Sequence, residues 1–273
     1  ETPLSGAVID YLLARIPNGP VVLEIVDGGG KIVRSFRGGE VPGRPSASRY
    51  FDEDWVQPSA AMPVHAGHNR FVWDLRHPRP RATEYEYSIA AVPGADTPAL
   101  PQGIFVLPGR YEVRLTVEGK TLRQPLEVGA DPRVPLQMKT LEGQLDFYRD
   151  VVRSLEAATD TRAEIDALAD QLHEIERETG ELREAARKLS PELERFRNGP
   201  SEDNVGAIGG VLGSLATDLE GADAAPTRPQ IDVLEDYGRR LRTALEHWHA
   251  FRSRPLSELD RRMREAGRPK LLP

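Results

Sequence analysis

The feature that most constrains this chain is a change in its hydrophobic period close to Ala130. Before that point apolar residues alternate with polar ones; after it they recur at intervals of three and four. Alternation turns one face of an extended strand toward a core, whereas three-four spacing turns one stripe of a helix there. A single regular architecture cannot satisfy both patterns. The sequence therefore predicts two different parts in succession.

The first part reads as short strands separated by turns. Val21–Val26 and Lys31–Arg37 flank Asp27-Gly28-Gly29-Gly30, where glycine supplies the positive φ of a tight hairpin connection. In Asn69–Arg76, residues Phe71, Trp73 and Leu75 share one face, and Arg70, Asp74 and Arg76 the other. Pro108-Gly109 leads into Tyr111–Val117, and Glu118-Gly119 turns the chain back through Thr121–Val128. Two long segments rich in Pro, Gly, Ala and Ser, Gly38–Gly67 and His77–Leu107, interrupt these strands.

The second part reads as helices. Leu141, Leu145, Tyr148, Val152 and Leu155 begin a stripe that resumes at Ile165, Leu168, Leu172 and Ile175 and runs through Thr179 to Phe196. Ser190-Pro191 lies inside it and predicts a kink or a restart. Val205–Leu219 contains Gly206, Gly209, Gly210 and Gly213, which predict close approach of a neighbouring backbone. Pro226-Thr227-Arg228-Pro229 opens a helix through Trp248, and Leu256–Met263 closes the chain. The expected fold class is thus two-domain, all-β plus all-α. An Ig-like antiparallel β-sandwich with two long loop insertions occupies residues 1–130, and an antiparallel helical bundle of about four helices occupies residues 131–273. The stripe over Ile165–Phe196 also allows a coiled-coil seam, so the chain is a monomer or a dimer through the bundle.

Charge sharpens the division. Residues 1–130 carry 15 acids and 14 bases, and residues 131–273 carry 28 and 22, within a whole of net −7. Neither part concentrates the positive charge that a nucleic-acid surface needs. No stretch reaches the ~18 apolar residues of a membrane span. The absence of cysteine excludes disulfides, thiolate metal sites and thiol nucleophiles. Opening on Glu1, the chain reads as a processed protein or an excised fragment.

Three segments occur in a recognisable order. They are Val21–Asp27 with Gly30–Arg34, then Gly67–Asp74 with its Trp73-Asp74 pair, then Pro108–Leu115 with Pro108-Gly109-Arg110-Tyr111. Together they resemble the Ig-like domain of the flagellar hook-capping family. Gly6–Leu12, the Asn69–Arg76 strand, Asp131-Pro132-Arg133 and the helical tail with Ala225-Pro226-Thr227 extend the likeness. Over nearly its whole length, the chain resembles the C-terminal region of bacterial proteins built around sortilin-type, BNR-repeat β-propellers, often labelled glycosyl hydrolases. The resemblance implies export, a propeller before Glu1 as partner, and no hydrolase chemistry in these residues. A flagellar role is not implied, because nothing before Val21 looks like a hook-binding segment.

Candidate sites are few. His65, His68 and His77, with Asp74 between the last two, could ligate zinc or a similar metal. Asp52, Glu53 and Asp54 could offer oxygen ligands to calcium, with Trp55 stacking on a sugar, although a solvated acidic loop anchored by a buried Trp55 is the simpler expectation. His247 and His249 lie two apart on a helix and point apart, with Trp248 in the core stripe. No nucleophile elbow or phosphate loop is present, and no catalytic residue or cofactor is assigned. The expected function is a non-catalytic structural or interaction module. The alternatives are a carbohydrate- or calcium-binding accessory domain and, last, a hydrolase of unknown class.

Overall fold

The computed structural model describes residues 6–41, 43, 46–47, 49–52, 55–56, 61–87, 97–133, 137–199 and 204–271. Eight strands come first: β1 (Ala7–Leu13), β2 (Val21–Asp27), β3 (Ile32–Arg37), β4 (Gly67–Trp73), β5 (Glu86–Tyr87), β6 (Ala99–Leu100), β7 (Gly109–Val117) and β8 (Lys120–Val128). Helices α1 (Met138–Glu176), α2 (Glu181–Asn198), α3 (Val205–Glu220), α4 (Arg228–Phe251) and α5 (Ser257–Glu265) follow, with a π-helical turn at Arg252–Leu256. Contacts divide the chain into two compact units. The first comprises Glu1–Arg79, Tyr85–Tyr148 and Thr217–Ala225, and the second Pro80–Glu84, Arg149–Ala216 and Pro226–Pro273.

In the first unit the longest sheet has four antiparallel strands in the order β3-β2-β7-β8. Its two hairpins follow from local chemistry. Asp27 Oδ1 accepts the backbone N–H groups of Gly29 and Lys31, both at 2.9 Å, and Gly30 takes φ +85°. Between β7 and β8, Glu118 and Gly119 both have positive φ, the pair of left-handed residues that matches the twist of a two-residue hairpin. β1 and β4 form a separate two-stranded antiparallel ladder, from Ala7 opposite Trp73 to Leu13 opposite Gly67. Val21, Leu23 and Ile25 of β2 and Val113 and Leu115 of β7 share a core with Phe71 and Trp73 of β4. Trp73 is fully buried and its ring meets Tyr111 edge-on at 6.1 Å.

This is not the Ig-like sandwich expected from the sequence. The chain is mixed: small antiparallel sheets, then a helical C-terminal region. An Ig-like fold needs about seven strands shared between two broad sheets. Among the described residues only six strands exceed two residues, and β1–β4 has no third member. The physical reason lies in the long insertions. Proline supplies no N–H to a ladder, and the described parts of these segments yield only the two-residue β5–β6 pair and isolated bridges at Gly38–Met62 and Arg76–Phe105. The strand expected to reach Arg76 also stops at Trp73, because Leu75 turns to φ +60°.

The second unit is helical, and its core is the three-four stripe of the sequence. Leu155, Ile165, Leu168, Leu172, Leu193, Phe196, Leu212 and Trp248 are all nearly inaccessible. Phe196, Trp248 and Phe251 form an aromatic cluster with centroids 5.5 to 5.8 Å apart. The helix does not restart at Ser190-Pro191: α2 runs through Pro191. Burial of Ala186, Leu193 and Phe196 on both sides of Pro191 holds the helix together despite the missing N–H. The stripe is interrupted earlier, where Gly180 at φ +96° starts α2. Gly206, Gly209 and Gly213 of α3 are approached by side chains rather than backbone, and Gly210 faces open space. A Cβ at Gly206 would strike the Arg162 guanidinium, and one at Gly209 would lie 2.8 Å from the Thr83 hydroxyl and 3.6 Å from Ala158 Cβ. Arg162 in turn donates to the Arg197 carbonyl at 2.9 Å, satisfying a free acceptor at the end of α2.

Candidate functional site

The three histidines proposed as metal ligands take separate partners. Asn69, 1% exposed, accepts the His65 N–H at 2.8 Å and donates to the carbonyls of His65 at 2.9 Å and Gly67 at 3.0 Å. His65 thus belongs to the turn that starts β4. The His68 imidazole lies 3.1 Å from Asp10, which also receives Arg70 at 2.8 Å. The His77 N–H donates to the Ile104 carbonyl at 2.9 Å, and its own carbonyl accepts Arg34 at 3.0 Å. Asp74 accepts the Arg76 N–H at 3.1 Å. Among the described residues no three His, Asp or Glu side chains gather as a metal site would require.

In the acidic loop, Glu53 and Asp54 lie outside the described residues. The Asp52 carbonyl accepts the Trp55 N–H at 3.2 Å. Trp55 is not the buried anchor expected of it: 44% of its surface is exposed. Val56, Tyr87 and Ala99 form the small core here, with Phe51 packed against them. Phe51 stacks on Trp55 at 5.9 Å with an 11° interplanar angle and meets Tyr87 edge-on at 5.5 Å. The indole therefore rides on an aromatic support while keeping nearly half its surface in water. Tyr50 beside it is 83% exposed.

The most completely built polar constellation was missed by the sequence reading, and it lies in the first unit. Glu220 ends α3 and is 7% exposed. Its carboxylate accepts the backbone N–H groups of Gln102 and Gly103, both at 2.8 Å, and the Tyr148 hydroxyl at 2.6 Å. Burial and the adjacent Glu220 charge raise the Tyr148 pKa well above its ordinary value. Arg76 donates to the Gly103 carbonyl at 2.6 Å, and its guanidinium carbon lies 3.7 Å from the Phe105 ring centroid. Gly103 has φ +110°, and a Cβ there would collide with the His77 carbonyl. Gln144 completes the cluster, donating to the carbonyls of Leu219 at 3.0 Å and Ala222 at 2.6 Å, acceptors that the end of a helix leaves open. Beside it lies a cavity of about 360 Å³, lined mainly by Leu75, Ile104–Pro108, Leu141 and Leu145, with Asp131 and Asp223 among its polar residues.

These distances determine what the cluster can do. Three donors of the chain itself engage the carboxylate, and burial beside it raises the tyrosine pKa. Such an arrangement fixes a loop to two helix segments. Only one trace of it was visible in the sequence: Tyr148 is a polar-tipped residue inside an apolar stripe. Compared with known proteins, the chain matches no family model and no curated protein.

Proposed function

We propose that this chain is a non-catalytic interaction module that docks on a protein partner. The observation carrying this reading is the outer face of β1. Val8 is 44% exposed, Leu12 76%, and Ile16, just beyond the strand, 64%. On a strand of alternating pattern these positions would ordinarily be polar. Between them Asp10 is held by Arg70 and His68 of β4. Among the described residues β1 also belongs to a ladder of two strands, a situation that favours addition of a further strand or an apolar surface. The resemblance to C-terminal regions of propeller-containing proteins supports a propeller as the partner.

The test is a photo-crosslinking side chain at position 12 in the cells that make the protein, with position 122 on β8 as control, since Leu122 is 70% exposed. One discrete adduct from position 12, absent from position 122 and lost with Val8→Ser, is the expected result. Equal labelling from both positions, or none, overturns the reading. A second reading, carbohydrate binding, is favoured by the exposed Trp55 on its Phe51 support. It requires a melting-temperature rise with soluble oligosaccharides that Trp55→Ala removes.

A further inference from the structure

The cavity beside the Glu220 cluster, of about 360 Å³, falls within the ~300–1,000 Å³ range of small-molecule sites. It belongs wholly to the first unit. One wall is the loop Ile104–Pro108, and bonds of the chain itself hold that wall in place. Val106 donates its N–H to the Leu75 carbonyl at 2.8 Å, and the Tyr111 hydroxyl donates to the Leu107 carbonyl at 2.7 Å. Glu220 anchors Gln102 and Gly103 just before it. The wall therefore stands without a ligand and keeps apolar surface in water. Leu75, Leu107, Pro108 and Val128 are half-buried, and Phe105 is 44% exposed with the Arg76 guanidinium over its ring. What this wall offers is aliphatic contact, and covering it releases its hydration water.

The polar part of the lining consists of acceptors. Gln144 is 3% exposed and spends both N–H donors of its amide on the carbonyls of Leu219 and Ala222, so it has its oxygen to offer. That oxygen has no partner among the described residues, yet it is not sealed off. The sealed side-chain atoms without a partner are Nε of Arg79 and Nε of Arg183. Asp223 is exposed and forms no hydrogen bond or ion pair among the described residues. Arg76 feels its charge from a distance but is committed to the Gly103 carbonyl and the Phe105 ring. Asp131, also in the lining, is taken by Arg133 at 2.7 Å and is not counted on. Among the described residues no basic side chain lines the cavity.

We propose that this cavity is a binding site for a small aliphatic amine in its ammonium form, its body against Leu75, Leu107, Pro108 and Val128 and its head toward Gln144 Oε1 and Asp223. A primary ammonium carries three donors and no acceptor, which suits a lining of acceptors. An anion would meet two carboxylates and no free side-chain donor. The two halves of the ligand act together: the apolar wall holds the body, and the acceptors select the charge.

The experiment is an amide-shift titration of the intact chain at pH 7, where an aliphatic amine is protonated. The ligands are cyclohexylmethylamine, its neutral counterpart cyclohexylmethanol, the anion cyclohexanecarboxylate, and methylamine, which lacks the body. Saturable shifts confined to the neighbourhood of Phe105, Leu107, Gln144 and Asp223 are expected with cyclohexylmethylamine. The alcohol should bind at least about fivefold more weakly, and the carboxylate and methylamine should not saturate. Asp223→Asn should weaken the amine about three- to fivefold, the scale of a charge pair at the edge of solvent. Ala130→Trp, which brings an indole to the cavity from an exposed lining position and leaves Gln144 and Asp223 in place, should abolish binding. Unchanged circular dichroism and melting temperature check that these variants fold, and the comparison of the four ligands needs no variant. No saturable shift with the amine, equal affinity for amine and alcohol, shifts spread over the surface, or binding that survives both substitutions overturns the proposal.

Discussion

Glu220 shows how a single side chain can hold a segment that has no regular structure of its own. Its three donors, Gln102 N, Gly103 N and Tyr148 Oη, are all within 2.8 Å. A buried donor left without an acceptor costs about 1–3 kcal/mol. Glu220→Ala strands three of them, and the urea midpoint should fall by the equivalent of at least about 3 kcal/mol. Tyr148→Phe removes one bond and should cost about 1–2 kcal/mol in the same measurement. Titration has a definite sign here. The folded-state pKa of Tyr148 is raised above the ordinary value of 10.0, and burial pushes Tyr11 up to about 12. The unfolded chain ionises these phenols first, so their contribution is complete below about pH 10 and is lost as pH rises above it. Urea midpoints should therefore hold steady toward pH 10 and fall between pH 10 and 12, less steeply in Tyr148→Phe.

At the scale of elements, the α1–α2 connection and Pro191 make opposite demands. Gly180 at φ +96° and ψ −164° is in a region essentially reserved for glycine, where a side chain costs about 1–3 kcal/mol, so Gly180→Ala should lower stability by that amount. Pro191 sits inside α2, where proline is about 3 kcal/mol worse than alanine. Pro191→Ala should therefore raise the melting temperature. A fall would mean that the proline fixes some local geometry beyond its missing N–H. The start of α4 is made differently: the Thr227 hydroxyl accepts the Gln230 N–H, and Gln230 Oε1 accepts the Thr227 N–H at 2.8 Å. The sequence signalled the opening of this helix through Pro226-Thr227-Arg228-Pro229, and Gln230, the other half of the cap, follows directly.

For the whole molecule, the apolar stripe of the helices is the decisive inventory. Ile165, Leu168, Leu172, Ile175, Leu193 and Phe196 are 0–4% exposed within one chain. A coiled-coil dimer would need the same seam on its surface. Leu168→Ala should cost about 2–5 kcal/mol of stability while leaving the molar mass from light scattering unchanged. Among the described residues no helix is long and apolar enough to cross a membrane.

The alternating residues of β2, β4 and β7 and the stripe of the helices were legible in the sequence because burial imposes its period directly on the chain. The hairpin at Asp27–Gly30 and the opening of α4 at Pro226–Pro229 were legible for a similar reason: their hydrogen bonds close within a few residues. What only the tertiary structure decided depends on residues far apart. Strand periodicity does not say how many strands a sheet recruits, so the Ig-like sandwich gave way to a four-stranded sheet and a two-stranded ladder. Nor does composition place Trp55 in water and Val56 in the core. Glu220 meets Gln102 across 118 positions, and Asp223 shares a cavity with Phe105 across the same span. No local pattern records such a meeting, because its free energy comes from desolvation and hydrogen bonds that exist only once the chain has folded.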